Sequence, residues 1–551
     1  MKSVYYISFA ILFFQMKVEK TYAQLDKQKK EEINITSSFK PSIIKSSKIE
    51  FRPDAVLKDT ARYKFSYEPI KLSFNTPMSG FTIKPLAYTS PIKEIDSNQL
   101  IAHLGYGNLQ SPLGSISYAS AGADQSLNLH ADYLSMKGKL PGQQHAIGTL
   151  GASFKKRISE NYQYNIGTNI EGYRYRTFGF DRNVFEIPDS ALKQHFTNFN
   201  VHASLNNVAG EEGKIKVNPF LSFDHLTTNY KFNTIYSNFE LPTDFKWRKH
   251  IELKASPSIS WLHINAARRV VDDVFLVKIP LTAEIIQQKW IWDLSVIPVY
   301  YDKQFKFMPN MSFKHVLQDD KIYLKGGLRS KYEINTPYNM LIQNPFVRSL
   351  LNPNATVYEQ HSLFAGLYVQ SEKGLTFDFQ AGMTEHKNLP LFVNEGLMGK
   401  DFAPIFEKSL RTIDLKSNFN YIVSEQLSLS TGFEWMIFQK QIQYEKPFGL
   451  LPLQMKFKAS WKPMDKFMVV LNTDFWTGSY AKDVAANSLV KMRSAADINL
   501  VLKYKLNEKW GFWFDLNNIA NIQYQRWNQY TAYGFNFIGG VKYVLGKKTK
   551  Q

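Results

Sequence analysis

Residues 498–517, INLVLKYKLNEKWGFWFDLN, and residues 535–545, FNFIGGVKYVL, decide how this chain is read. In the first stretch Ile498, Leu500, Leu502, Tyr504 and Leu506 alternate with polar positions such as Asn499, Lys503 and Lys505. The polar turn Asn507-Glu508-Lys509 follows. Trp510, Phe512, Phe514 and Leu516 then alternate with Gly511, Trp513, Asp515 and Asn517. Phe535, Phe537, Val541, Tyr543 and Leu545 resume the pattern after a longer loop. A period of two puts alternate side chains on opposite faces of a strand. Strands with one apolar face and aromatic ends, running out to the terminus, read as the wall of a transmembrane β-barrel.

The pattern extends upstream. Tyr162, Tyr164, Ile166, Thr168 and Ile170 alternate with polar neighbours, as do Ile413, Leu415, Phe419 and Tyr421. Leu429, Phe433, Trp435 and Ile437 follow a turn, and so do Phe467, Val469, Leu471 and Phe475. Each segment is long enough to cross a bilayer when tilted, which takes about 9–11 residues. The connections alternate in length. Short turns are expected near 159–161, 210–213, 318–320, 371–374, 424–426, 463–466 and 507–509. Long loops are expected at 175–194, 227–244, 334–359, 385–410, 478–492 and 519–533. Bacterial barrels show this asymmetry, with short periplasmic turns and long extracellular loops. A soluble sandwich or propeller has no reason for it. The expected fold is all-β, a transmembrane antiparallel β-barrel of about 22 strands (18–22) over residues 98–551. Pro257, Pro280 and Pro298 obscure the strand boundaries between 245 and 304.

Composition agrees. The 551 residues include 41 Phe, 30 Tyr and 10 Trp, 15% aromatic, enough to supply girdles at two membrane interfaces. A mean hydropathy of -0.30 excludes a bundle of membrane helices, whereas a barrel with a polar lumen keeps such an average. Cysteine is absent, which removes disulfides, thiol nucleophiles, Cys-based metal sites and a lipidated cysteine. The formal charge of +19 is spread along strands and turns, with short basic runs at Lys27 to Lys30 and Lys547-Lys548 and no nucleic-acid-binding motif. Anionic lipopolysaccharide or lipid headgroups as partners, or else a cation-lined lumen, are the expected meaning of this charge, and nucleic acid is not.

Residues 1–23 read as a signal peptide for export. Lys2 is the positive end, Val4 to Phe14 the apolar stretch, and Thr21-Tyr22-Ala23 the cleavage site. Residues 24–97 carry Pro41, Pro53, Pro69, Pro77, Pro85 and Pro91 at intervals that break regular elements. An extended periplasmic segment, partly filling the lumen, is expected there.

Asp515-Leu516-Asn517-Asn518-Ile519-Ala520-Asn521, followed by Tyr524, Gly534 and the last strand, resembles the end of TonB-dependent transporter barrels. Phe39-Lys40-Pro41, Lys48-Ile49 and Pro53, with Asn344-Pro345, resemble related barrel proteins of Bacteroidota. The resemblance implies an outer-membrane location in a Gram-negative bacterium and a transport-related or receptor-like role. It also implies a plug domain, longer than the 74 residues between Gln24 and Gln99, so a complete plug is not expected. Residues 31–36, with Glu32, Ile33, Asn34 and Ile35, resemble a TonB-binding box, whose partner would be a TonB-type periplasmic protein; a short edge strand is the plainer reading. The last strand partly resembles a barrel-assembly signal through Gly540, Tyr543 and Leu545, with Ile538 where that signal takes a polar residue.

Catalysis finds little support. The 11 His residues form no HExxH and no metal-ligand spacing, so neither a metal nor another cofactor is expected. Asp224 and His225 are sequence neighbours and would face opposite ways on a strand. His130 and His202 lie near serines without forming a recognisable nucleophile motif. Gly105-Tyr106-Gly107 lacks a third glycine, and Gly396 to Lys400 is too short for a phosphate loop. The long loops are better candidates. Tyr338, Phe346 and Arg348 in one, and Tyr524, Arg526 and Trp527 in the other, suit either external recognition or an interfacial girdle. The expected function is transport or reception, not enzymatic. A scaffold subunit bound to an outer-membrane partner protein is the alternative, and a barrel hydrolase comes third.

Overall fold

The structure, a computed structural model, describes residues 97–546 apart from 208–214, 231, 267–268, 272, 319–320, 349–356, 373, 397 and 484–486. The expected signal peptide, the periplasmic segment, the box residues Glu32, Ile33, Asn34 and Ile35, and the turn 210–213 lie outside the described residues.

Twenty-two antiparallel crossings make one closed sheet. The first strand, Ser97–Gly107, pairs with Leu113–Ala121 on one side and with the last strand, Asn536–Gly546, on the other. Nine residue pairs, from Gln99↔Gly546 to Gly107↔Ile538, seal the wall and leave no free edge. Alternation sorts the side chains. On Tyr162–Arg176, Ile166 and Ile170 are exposed on the outer, lipid-facing side, while Gln163, Asn165 and Asn169 share the lumen face. Exposed Tyr162, Trp247, Trp290, Trp461 and Trp510 ring one end; Tyr106, Tyr133, Phe275, Phe305 and Phe307 ring the other. These are the two girdles that the composition called for. No described helix is long and apolar enough to cross a membrane.

The loop asymmetry is as expected at most positions. Turns at 158–161, 371–374, 423–426 and 506–509 mark the periplasmic end; connections at 177–192, 335–356, 388–409, 477–494 and 518–535 mark the extracellular end. Residues 227–244 are a correction. No long loop exists there: strands Phe220–Thr228 and Phe232–Glu240 meet at a tight turn, and Thr243–Arg248 continues the second. The expectation failed because Asn233, Ser237 and Asn238 give a loop-like composition to what is a wall strand.

The prolines that obscured the middle of the chain form a single line. Pro219, Pro242, Pro257 and Pro280 each split a crossing in two, as in Ile251–Ala255 and Ser258–Ala266. The residue before each proline donates its N–H to the carbonyl of the proline on the next strand: Asn218 to Pro242, Leu241 to Pro257, Ser256 to Pro280 and Ile279 to Pro298, at 2.9–3.0 Å. A proline interrupts a ladder because it has no N–H. Aligned in this way, the four interruptions become one crease across the wall. On its extracellular side the lumen face turns apolar, with Leu226, Phe232, Leu262, Ile264 and Leu276 buried; on the other side it carries Asp244, Glu252, Lys254 and Glu284.

One seam departs from simple edge-to-edge pairing. Gln304–Gln318 and Ile322–Ile334 have 15 and 13 residues but share only seven pairs, ending at Met311↔Leu328. The next outward-facing residue of the first strand is Pro309, which brings no N–H; Ser330 donates its hydroxyl to the Pro309 carbonyl instead, at 2.7 Å. Beyond that point the wall overlaps itself. Lys306 shares the lumen face with Met308, whereas Glu359 shares the outward face with exposed Leu363, yet the Lys306 Nζ and a Glu359 carboxylate oxygen are 2.9 Å apart. The upper end of Ile322–Ile334, with the strand Val357–Gln370 beside it, therefore lies inside Gln304–Gln318. Tyr332, Ile334 and Val357 pack with Val299 and Met308 in the overlap.

Candidate functional site: the capped extracellular mouth

Three extracellular loops converge over the apolar part of the lumen. The first holds a short helix, Pro337–Gln343. Thr336 caps it by accepting from the Asn339 N–H at 3.3 Å, and Pro337 supplies a pre-set φ where no donor is needed. Pro345 holds Asn344 extended and ends the helix. Met340 and Leu341 face the wall and pack among Phe196, Leu226, Phe232 and Leu262. Tyr338 donates its hydroxyl to Glu171 on the lumen wall, and Tyr173 donates to the same carboxylate at 2.8 Å. Burial first, then the Glu171 charge, holds the Tyr338 hydroxyl far above its usual range, so it remains a donor.

The second loop is a hairpin, Leu389–Glu395 with Asp401–Glu407, whose turn uses Gly396 and Gly399 at positive φ. It docks on the first loop edge to edge. Val347 and Phe402 form a parallel bridge, with the Phe402 N–H donating to the Phe346 carbonyl and the Arg348 N–H to the Phe402 carbonyl, each at 3.0 Å. Glu407, with no exposed surface, accepts backbone N–H groups from Ser409, Ile442, Gln443 and Tyr444 at 2.9–3.2 Å. One carboxylate thus ties the loop 442–452 to the hairpin.

The third loop brings Trp527 and Tyr530. Tyr530 stacks on Phe346 with ring centroids 3.6 Å apart, and Trp527 meets Phe392 and Phe402 edge-on at 5.4 and 5.6 Å. Such pairs add stability beyond the area they bury. Of the sequence-selected residues, Phe346, Trp527 and Tyr338 share this core, whereas Tyr524 lies in a separate cluster. Phe346, Trp527 and Arg526 are buried, Arg526 lying over the Trp527 ring at 4.2 Å. Tyr524 is buried against Trp476. Tyr338 is half-buried, and Arg348 is exposed. Arg348 stacks over Tyr230 and pairs with Asp401 at 3.1 Å; burial opposes its charge, but Asp401 outweighs burial and holds the guanidinium protonated. The hairpin 389–407, Glu407 and the helix were missed by sequence reasoning, since hairpin and helix carry no strand-length alternation and Glu407 has no local partner.

Beneath the cap the lumen wall is polar and its charges are paired across strands. Lys325 meets Asp378 at 2.6 Å, Lys416 meets Glu434 at 3.7 Å and Lys456 meets Asp474 at 3.8 Å. Asn200 donates to Asp224 at 2.9 Å. Asp224 faces the lumen and His225 the opposite side, as alternation requires. Among the described residues no group of His, Cys, Asp or Glu could hold a metal ion.

One cluster has the residue types of a nucleophilic triad. The Ser330 hydroxyl lies 3.0 Å from His361 Nδ1, and His361 Nε2 lies 2.9 Å from Glu359. Its surroundings fit a clamp. Ser330 is buried in the overlap and donates to the Pro309 carbonyl, while Glu359 also receives Lys387 at 2.6 Å and Lys306 at 2.9 Å. A serine nucleophile needs an accessible hydroxyl and a base free to take its proton.

The sequence matches no family model and no curated protein. The fold is nevertheless similar to solved structures. The siderophore receptor PirA from Acinetobacter baumannii superposes with a TM-score of 0.61 at 9% identity, covering 82% of this chain and 80% of that one. A ferric enterobactin receptor variant (PfeA) from Pseudomonas aeruginosa gives 0.61 at 8%, over 82% and 80%. The FrpB iron transporter from Neisseria meningitidis gives 0.62 at 8%, over 82% of each chain.

Proposed function

We propose that this chain is an outer-membrane import receptor whose extracellular loops gate a polar barrel, of the kind that TonB-dependent transporters use. The observation that carries the reading is the cap: three long loops, far apart in sequence, packed into one core over the lumen mouth. A barrel of this size is wide enough to need filling or closure, and loops that fold inward supply closure from outside. The solved structures of similar fold are named as siderophore receptors and an iron transporter, so a ferric siderophore is the first ligand to try. In this reading Arg348 and Tyr338 present the recognition surface, and Phe346, Tyr524, Arg526 and Trp527 support it from below. Residues 24–97 fill the lumen from the periplasmic side, and Glu32, Ile33, Asn34 and Ile35 reach a TonB-type partner.

The absence of native cysteine makes a clean test available. Val347→Cys with Phe402→Cys places two thiols across a direct bridge, within disulfide reach. Oxidised cells carrying the pair should lose uptake of radiolabelled iron from ferric enterobactin and regain it with reductant. Equal uptake in both redox states defeats gating by the cap. Deleting residues 24–40 should abolish uptake as well; undiminished uptake excludes a periplasmic contact through that segment.

A further inference from the structure

On the outward face of the barrel, at its extracellular rim, the structure assembles a basic groove that the import reading does not use. It has a volume of about 550 Å³ and lies across the third to sixth strands. Cross-strand register sets its side chains in two rows. Ala146, Arg174 and His195 are aligned in the lower row, and Arg176 and Lys193 face each other in the upper. Lys137 extends the upper row through its partner Gln144. Alternation fixes their direction. Arg174 and Arg176 share a face with exposed Ile166 and Ile170, and Lys193 and His195 share one with exposed Phe199. Neighbouring strands are about 4.8 Å apart and same-face residues about 7 Å along a strand, so the cations fall within roughly 10–15 Å of one another. Asp189 is the one carboxylate among them, pairing with Arg176 and lying 3.8 Å from Lys193. Four cations against one carboxylate leave a strong anion preference.

What lies below the groove identifies the anion. One row down, Gly148 and Gly172 form a shallow trough with nothing within 4 Å of a Cβ built at Gly172. Beneath it Leu150, Ile170 and Phe199 stand exposed on the membrane-facing side. A ligand seated here has its charge at the rim and apolar substance running down the wall. We propose that the groove binds the phosphorylated sugar headgroup of an outer-leaflet glycolipid, with the acyl chains laid against Leu150, Ile170 and Phe199. Arg174 and Arg176 offer forked donors suited to a phosphate, and Lys137 and Lys193 add point charges at either side. A soluble anion would gain nothing from the apolar surface below, which is why the lipid is favoured over free phosphate. The inference rests on the reading that this rim faces the outer leaflet.

The experiment titrates the full-length protein in detergent with diphosphoryl lipid A and follows the complex by native mass spectrometry. The wild type should bind one lipid at a specific site. Near a membrane surface each cation contributes about fivefold, so Arg174→Ala with Lys193→Ala should weaken binding about twenty-five-fold. Lys156→Ala, at the periplasmic end of the same strand as Gln144, should leave it unchanged. The charge-keeping pair Arg174→Lys with Lys193→Arg should retain most of the affinity. Should the alanine pair fail to fold, judged by loss of heat-modifiable migration in gels, the wild type is titrated with dephosphorylated lipid A, which should bind far more weakly. Equal binding of the phosphorylated and dephosphorylated lipids, or by wild type and alanine pair, overturns the proposal. Displacement of the lipid by millimolar inorganic phosphate overturns it too, since the groove would then be a free-anion site. Failure of the wild type to insert into phosphatidylcholine vesicles would instead strike at the membrane reading itself.

Discussion

Glu407 shows how much one side chain can organise when it is buried among donors. Its two oxygens take four backbone N–H groups from two loops, and hydrogen bonds to a charged acceptor exceed neutral ones in strength. Glu407→Ala takes that acceptor from Ser409, Gln443 and Tyr444, while the Ile442 N–H keeps the Ser409 carbonyl at 3.2 Å. It should lower the opening free energy of the 442–444 segment by about 3 kcal/mol, read as faster amide exchange at Ile442, Gln443 and Tyr444 with strand exchange unchanged. Ser330 offers a second residue-scale test. As a clamp it should lose only its bonds to Pro309 and His361 on conversion to alanine, at a cost of about 1 kcal/mol. Hydrolysis of a chromogenic ester should be absent before and after the change; a rate that vanishes with Ser330→Ala would make the cluster a catalytic one. Neither residue could have been singled out from the sequence. Ser330 acquires its role from Pro309 on the neighbouring strand and His361 on the next, and alternation reports a residue's face but not what stands opposite.

At the scale of the element, strands were legible and loops were not. A strand such as Ala495–Lys505 declares itself because every second side chain meets lipid, a one-sided pressure that a period of two records directly. The helix Pro337–Gln343 and the hairpin Leu389–Glu395 with Asp401–Glu407 are shaped by contacts up to 167 residues away, such as Tyr338 with Glu171. The misread region 227–244 falls between these cases. Polar Asn233 and Ser237 sit on its outward face beside exposed Phe239, and its boundary falls at Pro242, so a genuine wall strand took on the composition of a loop. The hairpin can be tested as a unit. Replacing residues 389–407 by a short Gly-Ser link removes Phe392 and Phe402 from under Trp527, and the cap core should come apart. Planar-bilayer recordings should show the replacement conducting more than the wild type. Matching currents would mean that the mouth is not where the barrel is closed.

For the whole molecule, strand number and orientation could be read from the alternation of short and long connections, because a barrel has only two ends and each connection must lie at one of them. The crease and the overlap could not, since both depend on how prolines on different strands align. The groove at the outer rim was equally hidden: Lys137, Arg174 and Lys193 are unremarkable until register sets them side by side. Closure by the nine-pair seam between first and last strands predicts heat-modifiable migration, with the folded barrel running ahead of the boiled chain in gels. Replacing Val541 and Tyr543 by Pro, which removes donors from that seam, should abolish the folded band.

The overlap between Gln304–Gln318 and the strand inside it bears on girth. In a barrel joined edge to edge throughout, strand count and stagger fix the perimeter, and widening it means breaking ladder bonds. Here the extracellular stretch of one seam is held by side chains alone, by Lys306 on Glu359, Ser330 on the Pro309 carbonyl and an apolar contact between Met308 and Tyr332. Strand count and stagger therefore fix the perimeter of the periplasmic hoop, whereas along this stretch the girth of the mouth is set by a few side-chain contacts.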